Sequence, residues 1–138
     1  MDEETYRLDE QVGFLLRRAN QRHLAIFAAV IPELTTTQFA AMTRLAELGP
    51  MSQNQLGRVT AMDAATIKGV VGRLVARGLV TTSPSAEDRR RLIVSLTLEG
   101  GTLVAELRAR GLEATRRTLA PLSAGDRERV LALLRQLA

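Results

Sequence analysis

The sequence contains no cysteine and only one histidine, His23. Without thiols there can be no disulfide frame, thiolate zinc site, iron–sulfur cluster or thiol redox switch. A single imidazole excludes an HExxH metal site and any arrangement that needs two histidines. Neither a GxGxxG nor a GxxxxGK[ST] phosphate loop occurs, and no pairing of nucleophile with base stands out. Long apolar runs are also missing. The longest, Leu24 to Ile31, has eight residues, against the roughly 20 that cross a bilayer. The acidic start, Met1-Asp2-Glu3-Glu4, is the reverse of a secretory signal's basic one. These absences lead us to expect a cytoplasmic protein that is not an enzyme, uses no cofactor or metal and has no membrane partner.

What remains is enough for one domain of ordinary size: 138 residues, 46% hydrophobic and 25% charged. The charge is unevenly placed. Between Arg44 and Arg91 lie eight cations (Arg44, Arg58, Lys68, Arg73, Arg77, Arg89, Arg90, Arg91) and four anions (Glu47, Asp63, Glu87, Asp88). That middle third carries the whole net charge of +4, and the flanks balance. One face meeting a polyanion would produce this pattern; so would a solvated surface of uneven charge.

Apolar residues at Leu8, Val12, Leu15, Leu16, Ala19, Ile26, Phe27 and Val30 recur at intervals of three and four. They predict a long amphipathic helix from about Tyr6 to Ile31, ended by Pro32. Thr35-Thr36-Thr37-Gln38 reads as a capping box opening a second helix, which has Phe39, Met42, Leu45 and Leu48 inward and stops at Gly49-Pro50. Ser52-Gln53-Asn54-Gln55 reads as another box, opening a short helix. After the turn Thr60-Ala61-Met62, Asp63 can cap a fourth helix to about Arg77, with Ile67, Val70, Val71 and Leu74 inward and Gly78 at its exit. The period then changes. Leu79–Ser83 and Leu92–Leu96 read as paired strands around a polar tip, Pro84 to Arg90. Thr97 caps a helix from Leu98 to Leu119, and Ser123 a last one carrying Val130, Leu131, Leu133, Leu134 and Leu137.

Two short helices joined by a tight turn and followed by a basic hairpin read as a winged helix-turn-helix. The second helix of such a pair fits the ~12 Å major groove, and arginines on the hairpin reach the neighbouring minor groove. The helix would expose Ala64, Ala65, Thr66, Lys68 and Arg73, and the wing Arg89, Arg90 and Arg91. The start of the preceding helix (Ser52, Gln53, Asn54) offers backbone N–H groups to phosphate. A carboxylate at Asp88 can hold the guanidinium of Arg90 through a bidentate pair; alternatively, it only shapes the turn.

Over nearly the whole chain the residues resemble the MarR group of bacterial transcription regulators. Leu34-Thr35-Thr36-Thr37-Gln38-Phe39 is similar to that family's entry to its second helix. Met62 to Ile67, Arg73-Leu74 and Arg77-Gly78-Leu79-Val80 resemble its recognition helix and first wing strand. Asp88-Arg89-Arg90 followed by Val94-Ser95-Leu96-Thr97-Leu98-Glu99-Gly100 resembles its wing signature, DRR…VxLTxxG. The resemblance implies a homodimer built from the terminal helices (about 6–31 and 98–138) around a DNA-binding lobe (about 35–97). It further implies palindromic double-stranded DNA as partner, Arg90 in the minor groove oriented by Asp88, and a small-molecule pocket between dimer helices and lobe. One departure concerns Val71-Gly72-Arg73-Leu74, where many members carry an acid before the Arg-Leu pair. Gly69 adds a second helix-interior glycine, and each costs up to ~1 kcal/mol relative to alanine.

The first, fifth and sixth helices are too apolar to serve only as surface cover, which suits burial against a second copy. His23 lies beside the apolar stripe of the first helix, four residues before Phe27. It is either a core or interface histidine bonded to a carbonyl, or a polar contact in an effector pocket with Phe27, Phe39, Met42 and, for a carboxylate, Arg18. Small aromatic acids, hydroxynicotinate-like or hydroxybenzoate-like, are the expected effectors of a repressor that releases its operator. The competing reading is a helical protein-interaction module without sequence-specific DNA binding.

Overall fold

The computed structural model describes residues 4–138, and the Met1–Glu3 part of the acidic start lies outside them. A 3-10 turn, Leu8–Glu10, precedes helices α1 (Val12–Val30) and α2 (Thr36–Leu48). Strand β1 (Met51–Ser52), helices α3 (Gln53–Val59) and α4 (Ala64–Ala76), and strands β2 (Val80–Pro84) and β3 (Leu92–Leu96) follow. Helices α5 (Leu98–Leu119) and α6 (Ala124–Leu137) complete the chain. This is the expected helical architecture with a hairpin wing, plus a strand the sequence did not announce. The chain divides into two compact units, one of residues 31–109 and one joining the residues up to Val30 to Arg110–Ala138. The division falls within α5 rather than ahead of it.

In the 31–109 unit the core is aliphatic: Ile31, Leu34, Ala41, Met42, Leu45, Leu56, Ile67, Val70, Val71, Leu74, Leu79, Val80, Val94, Val104 and Leu107 are all buried. At roughly 1.5–3 kcal/mol per buried Leu, Ile or Val, this set outweighs every polar interaction in the unit. Leu48 departs from its expected place and is exposed, because it ends α2 just before Gly49 turns the chain at φ 83. The capping box at Thr35 forms in full. At Ser52 only half forms: its Oγ accepts from the Gln55 N–H at 3.2 Å, while the Ser52 backbone lies in the sheet, opposite Ile93.

The sheet has the order β1-β3-β2, antiparallel throughout. Pro84 belongs to β2, opposite Leu92; at the end of an edge strand its missing N–H is harmless. Gly78, at φ 72, lets α4 turn into β2. The wing is fastened to α5 by three bonds around Thr97. Its amide donates to Leu79 O (3.1 Å), its hydroxyl donates to Gly78 O (2.7 Å), and that same oxygen accepts from the Gly100 N–H (3.0 Å). A Cβ at position 100 would stand 2.0 Å from Leu79 O, so only glycine lets the helix come this close.

In the other unit α1 begins only at Val12. Gln11 is extended (φ −88, ψ 133), and its side-chain amide donates to Arg7 O at 2.8 Å, closing a local turn where a longer helix was expected. The C-terminal end of α5 is well capped. Arg22 donates to Arg117 O (2.9 Å) and Thr118 O (2.5 Å), and Arg127 donates to Leu119 O (3.2 Å) and Leu122 O (2.9 Å). Apolar side chains nevertheless stay in the open. Val12, Leu15, Leu16, Leu112, Leu131, Leu133, Leu134 and Leu137 are exposed, and α6 buries no residue at all.

Candidate nucleic-acid interface

The interface is assembled within the 31–109 unit. α3 opens at Ser52, whose buried hydroxyl serves as the N-cap. Gln53 is half-buried and Asn54 exposed, and the first-turn amides have no partner within the helix. The turn to α4 is tight: the Met62 N–H donates to Gly57 O at 2.8 Å, and a Cβ at Gly57 would stand 3.1 Å from Ile67 Cγ2 and from Met62 O. Ala61 holds a left-handed backbone, φ 56. Asp63 Oδ1 then accepts from the Thr66 N–H at 2.7 Å. That hydrogen bond from the Thr66 backbone, above all other influences, holds the Asp63 carboxyl below its ordinary value of 3.8.

α4 buries Ile67, Val70, Val71 and Leu74. This leaves Ala64, Ala65, Thr66, Lys68 and Arg73 exposed, as expected, and Gly72 with them. Such a face is small and polar enough to enter a groove, with two cations at its sides.

The wing tip is a compact turn. The Ser85 N–H donates to Arg91 O (2.8 Å) and the Arg91 N–H to Asp88 O (3.0 Å). Asp88 Oδ1 accepts from the backbone N–H of Arg90 at 3.0 Å, so its carboxylate shapes the main chain and no bidentate pair with the Arg90 guanidinium forms. Arg89, Arg90 and Arg91 are exposed, and among the described residues their guanidinium groups form neither ion pairs nor hydrogen bonds. Arg44 and Arg77 differ: Arg44 bonds Val59 O and Glu47, and Arg77 bonds Glu33 O. Arg58, exposed in the last turn of α3, is a further free cation that motif reasoning passed over, since only its charge marked it.

Two expected clusters prove to be one. Because β1 pairs with β3, setting Met51 opposite Val94 and Ser52 opposite Ile93, the start of α3 meets the base of the wing. Ser52, Gln53, Asn54, Arg90, Arg91 and Leu92 line a common concavity of about 130 Å³. Two arginines and the start of a helix around a small hollow are the residue types that suit a phosphate.

The five expected effector residues fall in both units. Phe39 is half-buried and Met42 fully buried in α2. In the other unit, Arg18 is exposed with its guanidinium 5.9 Å from the Phe14 ring centroid, and Phe27 is buried. His23 Nδ1 lies 2.8 Å from Thr118 Oγ1. That hydroxyl gives its only hydrogen to Ala114 O at 2.9 Å, so Nδ1 is the donor and neutral His23 carries its free lone pair on Nε2. His23 also lines a mainly apolar cavity of about 340 Å³ with Leu16, Asn20, Thr118, Leu119 and Leu131. Among the described residues no three His, Asp or Glu cluster as metal ligands, and no helix is long and apolar enough to cross a membrane.

A profile of the MarR family matches residues 34–92. Over 139 aligned residues the chain is 44% identical to the HTH-type transcriptional repressor NicR of Pseudomonas putida, covering 99% of this chain and 88% of that one. A probable transcriptional regulator from Pseudomonas aeruginosa superposes with a TM-score of 0.90 at 53% identity, over 96% of this chain and 100% of the other. BpsR of Bordetella bronchiseptica, whose DNA binding is regulated by 6-hydroxynicotinic acid, superposes with a TM-score of 0.92 at 40% identity, over 97% of each chain.

Proposed function

The chain belongs to the MarR family of transcription regulators, and on that premise we propose that it is a cytoplasmic homodimeric repressor of a palindromic operator, released by a small aromatic acid. The observation that carries the DNA reading is the meeting, within the 31–109 unit, of the start of α3 with the arginine-bearing wing. The start of α3, the exposed face of α4 and the unpaired Arg89, Arg90 and Arg91 belong to one fold, with α3 and the wing tied together by β1. In this reading α4 lies in the major groove, Arg90 enters the minor groove, and the α3 amides with Arg91 hold phosphate.

Support for the dimer comes from the uncovered leucines of α1, α5 and α6. Burying them removes apolar area worth ~25 cal/mol per Å² from water, and two-fold pairing would set two α4 helices about one DNA turn, ~34 Å, apart. For the effector, the likeness to BpsR makes 6-hydroxynicotinic acid the first acid to test. His23 Nε2 would accept from its hydroxyl, beside Phe27, and Arg18 would meet its carboxylate.

The experiment is a fluorescence-anisotropy titration with duplexes tiled across the DNA upstream of the gene, at several salt concentrations, with and without 6-hydroxynicotinic acid. We expect one duplex to bind selectively and its affinity to fall steeply with salt, log K changing by roughly −0.9 per phosphate contact. The acid should weaken that binding, and His23→Ala should abolish its effect while leaving the DNA affinity intact. Absence of a preferred duplex would return the protein to the interaction-module class.

A further inference from the structure

Gly69 sits in the interior of α4, at helical spacing on the side away from Ile67, Val70, Val71 and Leu74. Its backbone is not in the left-handed region; among the described glycines only Gly49 and Gly78 are. Chain geometry therefore does not call for glycine there, and in a helix interior glycine is the worst choice short of proline. Its surroundings supply a reason. A Cβ at position 69 would stand 3.2 Å from Arg73 Nη1, 3.8 Å from Cζ and 3.9 Å from Nη2. The Arg73 guanidinium is folded back one turn and lies against the place a Cβ at 69 would take, so that a methyl there would push it by a few tenths of an ångström. This follows the tilt of helical side chains toward the N-terminus.

Arg73 is otherwise uncommitted: among the described residues its side chain makes no hydrogen bond or ion pair. Its predecessor is Gly72, so no carboxylate at that position claims the cation. Arg73 belongs to the last turn of α4, where a cation would ordinarily lean on the terminal carbonyls. Instead its charge is drawn back toward the middle of the exposed face.

We propose that Gly69 is a positioning residue for Arg73: having no Cβ, it gives the guanidinium a seat on the groove-facing side of α4, from which its planar fork reads a base. The chemical target is the acceptor pair N7 and O6 of a guanine, which a guanidinium meets with two parallel hydrogen bonds. The proposal rests on the DNA-binding reading and says which side chain of α4 discriminates between sequences.

The test compares Gly69→Ala, Arg73→Ala and the double variant with the wild-type dimer. Affinity is measured for the tightest-binding upstream duplex and for a scrambled duplex of the same length, with melting temperature as the folding control. Alanine favours the helix and Arg73 can swing aside, so Gly69→Ala should melt no lower than wild type. It should lose about tenfold in affinity for the preferred duplex, the size of one bidentate base contact, with affinity for the scrambled duplex within about twofold of wild type. Arg73→Ala should lose at least as much, and adding Gly69→Ala to it should cost nothing more.

Wild-type discrimination by Gly69→Ala would overturn the proposal, as would an equal further loss in the Arg73→Ala background. A parallel fall on both duplexes would make Arg73 a phosphate contact and also overturn it. Failure of the wild type itself to prefer any duplex would bring down the DNA-binding reading and this inference with it.

Discussion

Ala61 holds φ 56 in the turn between α3 and α4, a conformation that strains any residue with a Cβ. Ala61→Gly should relieve that strain and raise stability by about 0.5–1 kcal/mol, less the added freedom of the unfolded chain; urea denaturation checks it. Asp63 gives a prediction with a sign. Its folded pKa is lowered from 3.8 by the Thr66 backbone hydrogen bond. The cap's contribution is therefore complete above the unfolded value and is lost as pH falls through the lowered folded one. Asp63→Ala should be less stable than wild type at neutral pH, and the gap in urea midpoints should close in acid below 3.8. On the wing, Arg90→Ala should weaken operator binding by roughly 1–3 kcal/mol without changing the melting temperature. The guanidinium makes no intramolecular bond, so its removal leaves nothing unpaired.

At the scale of elements, the fit between α5 and the wing is the least forgiving. Gly100→Ala would drive a methyl into the Leu79 carbonyl, whose oxygen lies 2.0 Å from the Cβ position. We expect a loss of about 3 kcal/mol, seen in thermal and urea unfolding, because backbone atoms cannot step aside as a side-chain tip does. Caps, apolar spacing and the alternation at Leu92–Leu96 made most helices and the wing readable beforehand. Each of these signals is local. Strand β1 was not readable, because two residues carry no period and Met51–Ser52 is a strand only through pairing with Val94 and Ile93. The half-formed cap at Ser52 was missed for the same reason. For Asp88 the sequence left two readings open, a hold on the Arg90 guanidinium or a part in shaping the turn, and the bond from the Arg90 backbone amide to its carboxylate accords with the second. Periodicity marked Leu15, Leu112 and Leu134 as apolar faces, yet nothing among the described residues of one chain buries them.

For the whole molecule, those uncovered leucines make oligomeric state a measurable consequence. Leu133 and Leu137 are 49% and 70% exposed in one chain, so Leu133→Glu with Leu137→Glu should spare the fold of the single subunit. Sedimentation should show the pair shifted from dimer toward monomer. Operator affinity should drop with it, because the second half-site contact is then no longer intramolecular.

The two-residue strand β1 has a mechanical meaning as well. It laces the entrance of α3 to the return strand of the wing, at Ile93 and Val94, just beyond the arginine loop. Under the DNA-binding proposal, a tilt of α3 would therefore carry the base of the wing with it.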